Sequence, residues 1–285
     1  MAQLLGQLPG FERDEIPSVI NALKTVIVTT LERTIMFPHG ARITAPDQYD
    51  RFAKPVTYLR TEAHPEQSVS IITFNYDIAC DLALFQNECE PIYGLPGNAE
   101  MRSARVPLLK LYGSLNWARR TDNETVEPLH MRRFMQWFGQ PPPDRAQQIR
   151  LPIGDALRAC FAHAEFEIEP EPFIVPPTWK KVQHHEILHT VWGRAARELS
   201  DAQHIFLMGY SLPETDSFFR LLYALGTVGD APLTSIVVYN PDDREAVRKR
   251  FEDLLGPGAK ARFQYKLCDF GAAISDVANS FARRP

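Results

Sequence analysis

Cysteine is scarce in this sequence: Cys80, Cys89, Cys160 and Cys268 stand apart, with no Cys-x-x-Cys pair among them. Such spacing encodes neither a disulfide framework nor a four-thiolate zinc site. No apolar run approaches the length of a membrane span, and the amino terminus has no basic segment ahead of a hydrophobic one. The chain therefore reads as cytoplasmic, with no membrane partner. An excess of positive charge is missing too, the formal net charge being −4. That argues against a nucleic-acid partner held over a broad basic surface, and Arg132-Arg133 and Arg248-Lys249-Arg250 read as solvated helix faces. There is no internal repeat and no low-complexity tract beyond Pro141-Pro142-Pro143. In the first sixty or so residues no strand followed by a glycine-rich turn can be found.

What is present points to an α/β protein. The 285 residues, 45% of them apolar, can bury a sizeable core. Apolar runs of strand length recur at Val69 to Phe74, Leu108 to Leu111, Phe173 to Val175, His204 to Met208 and Ser235 to Tyr239, with a sixth at Phe263 to Leu267. Helical patterns separate most of them, including the stripe Phe218, Leu221, Leu222 and Leu225, and Val19 to Met36 reads as a helix. This alternation predicts a Rossmann-like parallel sheet flanked by helices. Residues 116–172 break the rhythm and predict a small, mostly helical insert or lid within a single domain spanning residues 1–285.

Four strand ends deliver polar residues. Val69, Ile71 and Ile72 lead into Thr73-Phe74-Asn75-Tyr76-Asp77, after which Ile78, Leu82 and Phe85 recur at helical spacing. Ligands of doubly wound folds collect at the carboxyl ends of strands, although Asp77 equally suits a helix cap and Asn75 a turn. Lys110-Leu111-Tyr112-Gly113-Ser114-Leu115-Asn116-Trp117 runs from a strand into a glycine-serine turn. Phe206-Leu207-Met208-Gly209-Tyr210-Ser211 ends another strand at a glycine that permits close approach of a ligand. Ser211-Leu212-Pro213-Glu214 also has the form of a capping box opening a helix, whose amino terminus favours anions. In Val238-Tyr239-Asn240, the amide is placed either to hold a ribose hydroxyl or to begin a turn. In a parallel sheet these four ends share one edge.

Together these residues resemble the sirtuin-like domains, in particular the branch found in bacterial NAD-consuming antiviral defence proteins. Thr73 to Asp77 is similar to the sirtuin Thr-Gln-Asn-x-Asp element, Lys110 to Trp117 to the branch's His-Gly-Ser-x-x-Trp element, and Pro176 to Lys181 and Gly209 to Asp216 to further elements of it. The resemblance implies an NAD-binding domain that hydrolyses NAD to ADP-ribose and nicotinamide in a prokaryotic defence context. Asn75 would position water or the nicotinamide ribose and Asp77 would hold the carboxamide. Thr73, Gly113 and Gly209 would line the nucleotide, with Ser211 and Asn240 on its adenosine side. A homo-oligomer or a defence-system partner protein is the implied assembly, and no metal is implied.

Three departures set this chain apart. Tyr112 stands where the family has its catalytic histidine, and a phenol with a reference pKa near 10 is ionised at only about one part in a thousand at pH 7. Losing a positioned base commonly costs about 10²- to 10⁴-fold in rate. The family's Gly-Ala-Gly-x-Ser phosphate loop has no counterpart in Met1 to Asp50, as expected of a start-truncated chain or of one that has lost a strand. The absence of paired cysteines removes the zinc module of deacylating sirtuins, which the defence branch lacks as well. The first two departures keep open a second reading, a catalytically inert regulatory or assembly domain. His185-Glu186-Ile187-Leu188-His189 also satisfies His-Glu-x-x-His, the zinc-protease helix. Its stripe of Leu188, Val191, Trp192, Ala195 and Leu199 leaves both histidines at the edge, however, and Glu198 is the nearest downstream candidate for a third ligand.

Overall fold

Val19 to Met36 contains no glycine to interrupt its apolar positions, and helix α1 occupies Ile16–Thr34, with Val28 buried. The computed structural model describes residues 16–61, 69–96, 105–123, 125–139, 147–176, 185–214, 220, 233–243 and 245–282. The chain divides into two compact units, Met1–Val191 and Trp192–Pro285.

In the first unit α1 is followed by β1 (Phe37–Pro38) and helix α2 (Asp47–Thr61). Strand β2 (Ile71–Thr73), helix α3 (Ala79–Gln86), β3 (Glu90–Ile92) and β4 (Arg105–Lys110) then form a parallel ladder in the order β2-β4-β3. The central strand β4 reads Val-Pro-Leu-Leu, and Val106, Leu108 and Leu109 are fully buried, as expected of a parallel strand covered on both faces. Helix α3 is mostly apolar, and Ala79, Leu82, Ala83 and Leu84 are all buried, together with Asp81.

Residues 117–161 carry an antiparallel pair, β5 (Trp117–Arg119) with β6 (Val126–Pro128), then helix α4 (Met131–Phe138), β7 (Gln148–Ile149) and helix α5 (Ile153–Phe161). The aromatic segment is the amphipathic α4, in which Phe134 is buried and stacks on Phe138 with ring centroids 5.7 Å apart. Pro152 precedes α5 without a side-chain cap, and Glu32 of α1 supplies one from a distance, its Oε1 accepting the Gly154 amide at 2.7 Å.

The run Phe173 to Val175, expected as a parallel strand, instead forms a short antiparallel bridge, Gly113 to Ile174. Phe173 N donates to the Trp117 carbonyl (2.7 Å) and Val175 N to the Tyr112 carbonyl (2.8 Å). Prolines at 170, 172 and 176 flank it, and a residue without an amide hydrogen cannot extend a ladder.

Helix α6 (His185–Ser200) carries the boundary between the units. In the second unit, β8 (His204–Met208) and β9 (Ser235–Tyr239) keep the bounds expected from sequence; helix α7 (Glu245–Leu254), the short helix α8 (Pro257–Lys260), β10 (Phe263–Lys266) and helix α9 (Phe270–Ala282) complete it. The ladder is again parallel, in the order β10-β9-β8, and Val237, Tyr239 and Ala273 form its core with Phe206, Met208, Cys268 and Val277 against them. Both ladders with their helices make the protein an α/β fold of Rossmann-like architecture with extra helical regions. The stripe Phe218 to Leu225 and the segment Pro141 to Pro143 lie outside the described residues.

Candidate functional site

In the first unit β2 and β4 end side by side, Thr73 opposite Lys110, and the Leu111 amide donates to the Thr73 carbonyl at 3.0 Å. Two turns therefore leave the same sheet edge together. In the first turn Thr73 Oγ1 accepts the Asn75 amide at 3.1 Å, and the Asn75 residue is exposed. Half-buried Asp77 accepts the Ala79 amide at 2.9 Å and so starts α3. Tyr76 turns inward, its hydroxyl donating to the Val175 carbonyl at 2.7 Å, and burial pushes its pKa up. From the second turn, half-buried Tyr112 packs on Phe74 with ring centroids 5.4 Å apart.

Gly113 has a packing reason for its identity. At φ +87°, an added Cβ would lie 2.3 Å from the Phe173 carbonyl oxygen, so its missing side chain is what lets the Phe173–Ile174 backbone close against the turn.

Beneath the two turns lies a buried polar network. Lys110, 1% exposed, places Nζ 2.7 Å from Asp81 Oδ2, 2.7 Å from Ser114 Oγ and 2.5 Å from the Asp77 carbonyl oxygen. Tyr93 donates its hydroxyl hydrogen to Asp81 Oδ1 (2.7 Å) and accepts from Asn116 Nδ2 (3.1 Å), while Ser114 Oγ meets Asn116 Oδ1 at 2.6 Å. Burial, and after it Asp81, holds the Tyr93 phenol well above the usual tyrosine range, so it stays a neutral donor. Ser114 and Asn116 thus serve the interior.

Sequence reasoning missed Tyr49 of α2. Its hydroxyl is hydrogen-bonded to the Asn75 side chain, and burial, followed by the nearby Asp77 and Cys80, raises its pKa. The sequence around it, Asp47-Gln48-Tyr49-Asp50, has the look of an ordinary helix start and carries no ligand signal. The structure therefore brings Tyr49 to Asn75 and Asp77 in the first turn, with Thr73 at its start and Tyr112 and Gly113 on the adjoining second turn. An amide held by a phenol beside a carboxylate makes a small polar group able to accept and donate hydrogen bonds to a hydroxylated ligand or a water molecule.

The second unit has its own carboxyl edge. Gly209 N donates to the Tyr239 carbonyl at 3.0 Å, which sets the ends of β8 and β9 in register. Gly209 has φ +69° with nothing among the described residues within 4 Å of an added Cβ, so none of them hinders close approach to its backbone. Ser211 is exposed, and the positive φ of Leu212 (+47°) turns the chain beyond it. Asn240 is 5% exposed, with Nδ2 directed to the Tyr210 carbonyl (3.3 Å) and Oδ1 accepting the Asp242 amide (2.9 Å). Of the two uses open to this amide from sequence, the turn-forming one is seen.

No protein-family model matches this chain, and no curated protein matches it. Solved structures do. One is a serine-to-alanine mutant of a Sir2 homologue in complex with ADP-ribose, 13% identical with a TM-score of 0.47, covering 96% of this chain and 80% of that one. The corresponding histidine-to-asparagine mutant, also with ADP-ribose, is 13% identical with a TM-score of 0.46, covering 96% and 80%. A Sir2 homologue in complex with NAD is 14% identical with a TM-score of 0.39, covering 85% and 66%.

The His-Glu-x-x-His segment lies on α6, where the side chains of His185 and Glu186 fall outside the described residues. Leu188, Val191 and Ala195 form the buried stripe and His189 is exposed. Glu198 pairs with Arg194 at 2.9 Å. Among the described residues no three of His, Cys, Asp and Glu stand together as a metal-binding group. No described helix is long and apolar enough to cross a membrane. The motif Pro176 to Lys181 past its first residue, and Thr215 and Asp216, lie outside the described residues.

Proposed function

We propose that this chain is a sirtuin-like NAD-binding domain that hydrolyses NAD to nicotinamide and ADP-ribose, working in a prokaryotic antiviral defence system. The observation that carries the reading is the turn Thr73 to Asp77 at the carboxyl edge of a parallel ladder, with Asn75 exposed, Tyr49 and Asp77 beside it and Tyr112 packed on Phe74 of the same turn. That turn is also one of the four elements on which the sequence resemblance rests. In this reading Asn75 holds the attacking water or the nicotinamide ribose, its amide kept in place by the Tyr49 hydroxyl. Asp77 accepts the carboxamide NH₂. Loss of nicotinamide leaves an oxocarbenium-like ribose, and the Asp77 carboxylate contributes favourable charge beside it. A neutral phenol at Tyr112 orients a ribose hydroxyl without taking its proton, so turnover is slow.

The second reading is a catalytically inert regulatory or assembly domain, favoured by the phenol at Tyr112 and by the internal use of the Asn240 amide. Nicotinamide release by the full chain separates the two. Wild type turns over slowly, Asn75→Ala abolishes turnover and Tyr112→His raises it by about 10²-fold. An inert wild type that gains activity with Tyr112→His marks a lapsed site. Absence of NAD binding in all three proteins ends both nucleotide readings.

A further inference from the structure

The buried ammonium of Lys110 is the group in the first unit whose role neither the sequence motifs nor the chemistry above uses. It sits at the last position of β4, one residue before the turn that carries Tyr112, and is 1% exposed, with Asp81 at 0%. A lysine in an apolar strand costs several kcal/mol in desolvation unless its charge and all its donors are met, and even a well-met pair is often no more stable than apolar residues of similar volume. Stability alone is therefore a poor account of it. Its three partners are informative: Asp81 neutralises the charge, Ser114 belongs to the Tyr112 turn, and the third is the main-chain carbonyl of Asp77.

The bond to Asp77 is directional. It engages the backbone of the residue whose side chain the NAD reading assigns to the ligand, and with Leu115 N donating to the Tyr76 carbonyl at 2.9 Å it ties the first turn to the second. Tyr76 and Asp77 are thus fixed by their carbonyls, and the Asn75 and Asp77 side chains take no part in that tie.

We propose that Lys110 is a positioning residue, a charged clamp that locks the Asp77 turn onto the Tyr112 turn and so fixes where the Asp77 carboxylate stands. The proposal deepens the NAD reading and rests on it for its kinetic consequence, though not for the clamp itself.

The test uses the full chain and two variants. Lys110→Met combined with Asp81→Asn removes the clamp without stranding a buried charge, and Tyr93 retains an acceptor. Ser114→Ala removes one partner of Lys110 and the 3.2 Å bond from Ser114 Oγ to the Tyr76 carbonyl, but keeps the bond from Lys110 to the Asp77 carbonyl. Hydrogen exchange is followed on peptides covering Phe74 to Ala79 and on β4 as reference. The clamp predicts that the double variant loses protection in the turn by about tenfold or more, the loss of a charged hydrogen bond, while β4 keeps its own. Ser114→Ala should loosen the turn by far less than tenfold, the neutral bond to the Tyr76 carbonyl being the weaker one. If the double variant leaves the turn unchanged, or if Ser114→Ala alone costs it tenfold or more, the clamp is overturned; the second outcome can be read even if the double variant does not fold.

Where wild type turns over NAD, kcat in the double variant should fall by about 10²-fold, the cost of a displaced reacting group, with KM changed far less. Equal losses in kcat and thermal stability for both variants would reduce Lys110 to a structural role. A wild type that neither binds nor cleaves NAD, with the turn still loosened in the double variant, defeats the NAD reading and leaves the clamp standing.

Discussion

Gly113 and Gly209 both adopt positive φ after a strand, yet they differ in what surrounds them. An added Cβ at Gly113 meets the Phe173 carbonyl oxygen at 2.3 Å, a backbone atom that cannot step aside, whereas at Gly209 it meets none of the described residues. Left-handed strain costs an alanine roughly 1–2 kcal/mol at either position. Gly209→Ala should lose about that much stability in urea denaturation, and Gly113→Ala about 3 kcal/mol or more because the bridge to Ile174 must also open. Equal losses would show that the Phe173 segment yields freely. NAD affinity distinguishes the two further: if Gly209 faces the nucleotide, Gly209→Ala weakens binding despite its small effect on folding. Sequence alone gave both glycines the same ligand-facing role, because it shows that a turn needs freedom and not what presses on the turn.

At the level of elements, Asp77 has two roles that mutation can separate. Its Oδ1 accepts the Ala79 amide at the start of α3, a bond whose loss in Asp77→Ala should cost about 1 kcal/mol. Asp77→Ser retains a hydroxyl acceptor for that amide, so it should keep most of the stability while losing the carboxylate. Nicotinamide release that falls equally in both variants, with melting temperature lowered only in Asp77→Ala, separates the ligand role from the cap; full activity in Asp77→Ser would leave only the cap. Strands of both units were legible: Ile71–Thr73 in the first and His204–Met208 and Ser235–Tyr239 in the second announce themselves by β-branched and aromatic runs. The network under the turn was not. Lys110 hides in an apolar strand and Asp81 in an apolar helix, and an ion pair 29 positions apart in sequence leaves no periodic trace. Tyr49 escaped for a similar reason, since its partner Asn75 comes from a distant element. Phe173 to Val175 misled because an apolar triplet specifies extended chain without saying which strand it pairs with, or in which direction.

Across the whole molecule, neutral phenols and thiols hold the interior, and this sets its response to alkali. Burial raises the pKa of Tyr49, Tyr76 and Tyr93 in the first unit and of Tyr239 and Tyr265 in the second, with Asp77, Asp81, Asp276 and Asp242 adding to burial at Tyr49, Tyr93, Tyr239 and Tyr265 in turn. Burial does the same to the thiols of Cys80 and Cys89. Below the unfolded-state pKa values, about 8.5 for cysteine and 10 for tyrosine, both states keep these protons and the stabilisation is complete. Above them the unfolded chain releases protons that the fold retains. The unfolded state then binds fewer protons than the native one, so the derivative of unfolding free energy with pH is negative and stability is lost as pH climbs toward the raised folded values. The urea midpoint should hold steady near neutrality and fall increasingly steeply from about pH 9 to pH 11, the tyrosinate absorbance of the buried phenols appearing with unfolding rather than before it. Tyr239→Phe removes one such group, whose hydroxyl meets Asp276 Oδ2 at 2.7 Å, and should make the decline shallower while lowering the neutral-pH midpoint. Tyrosinate formed by these buried phenols with the fold intact, beyond what exposed Tyr58 contributes, would contradict the burial on which this argument depends.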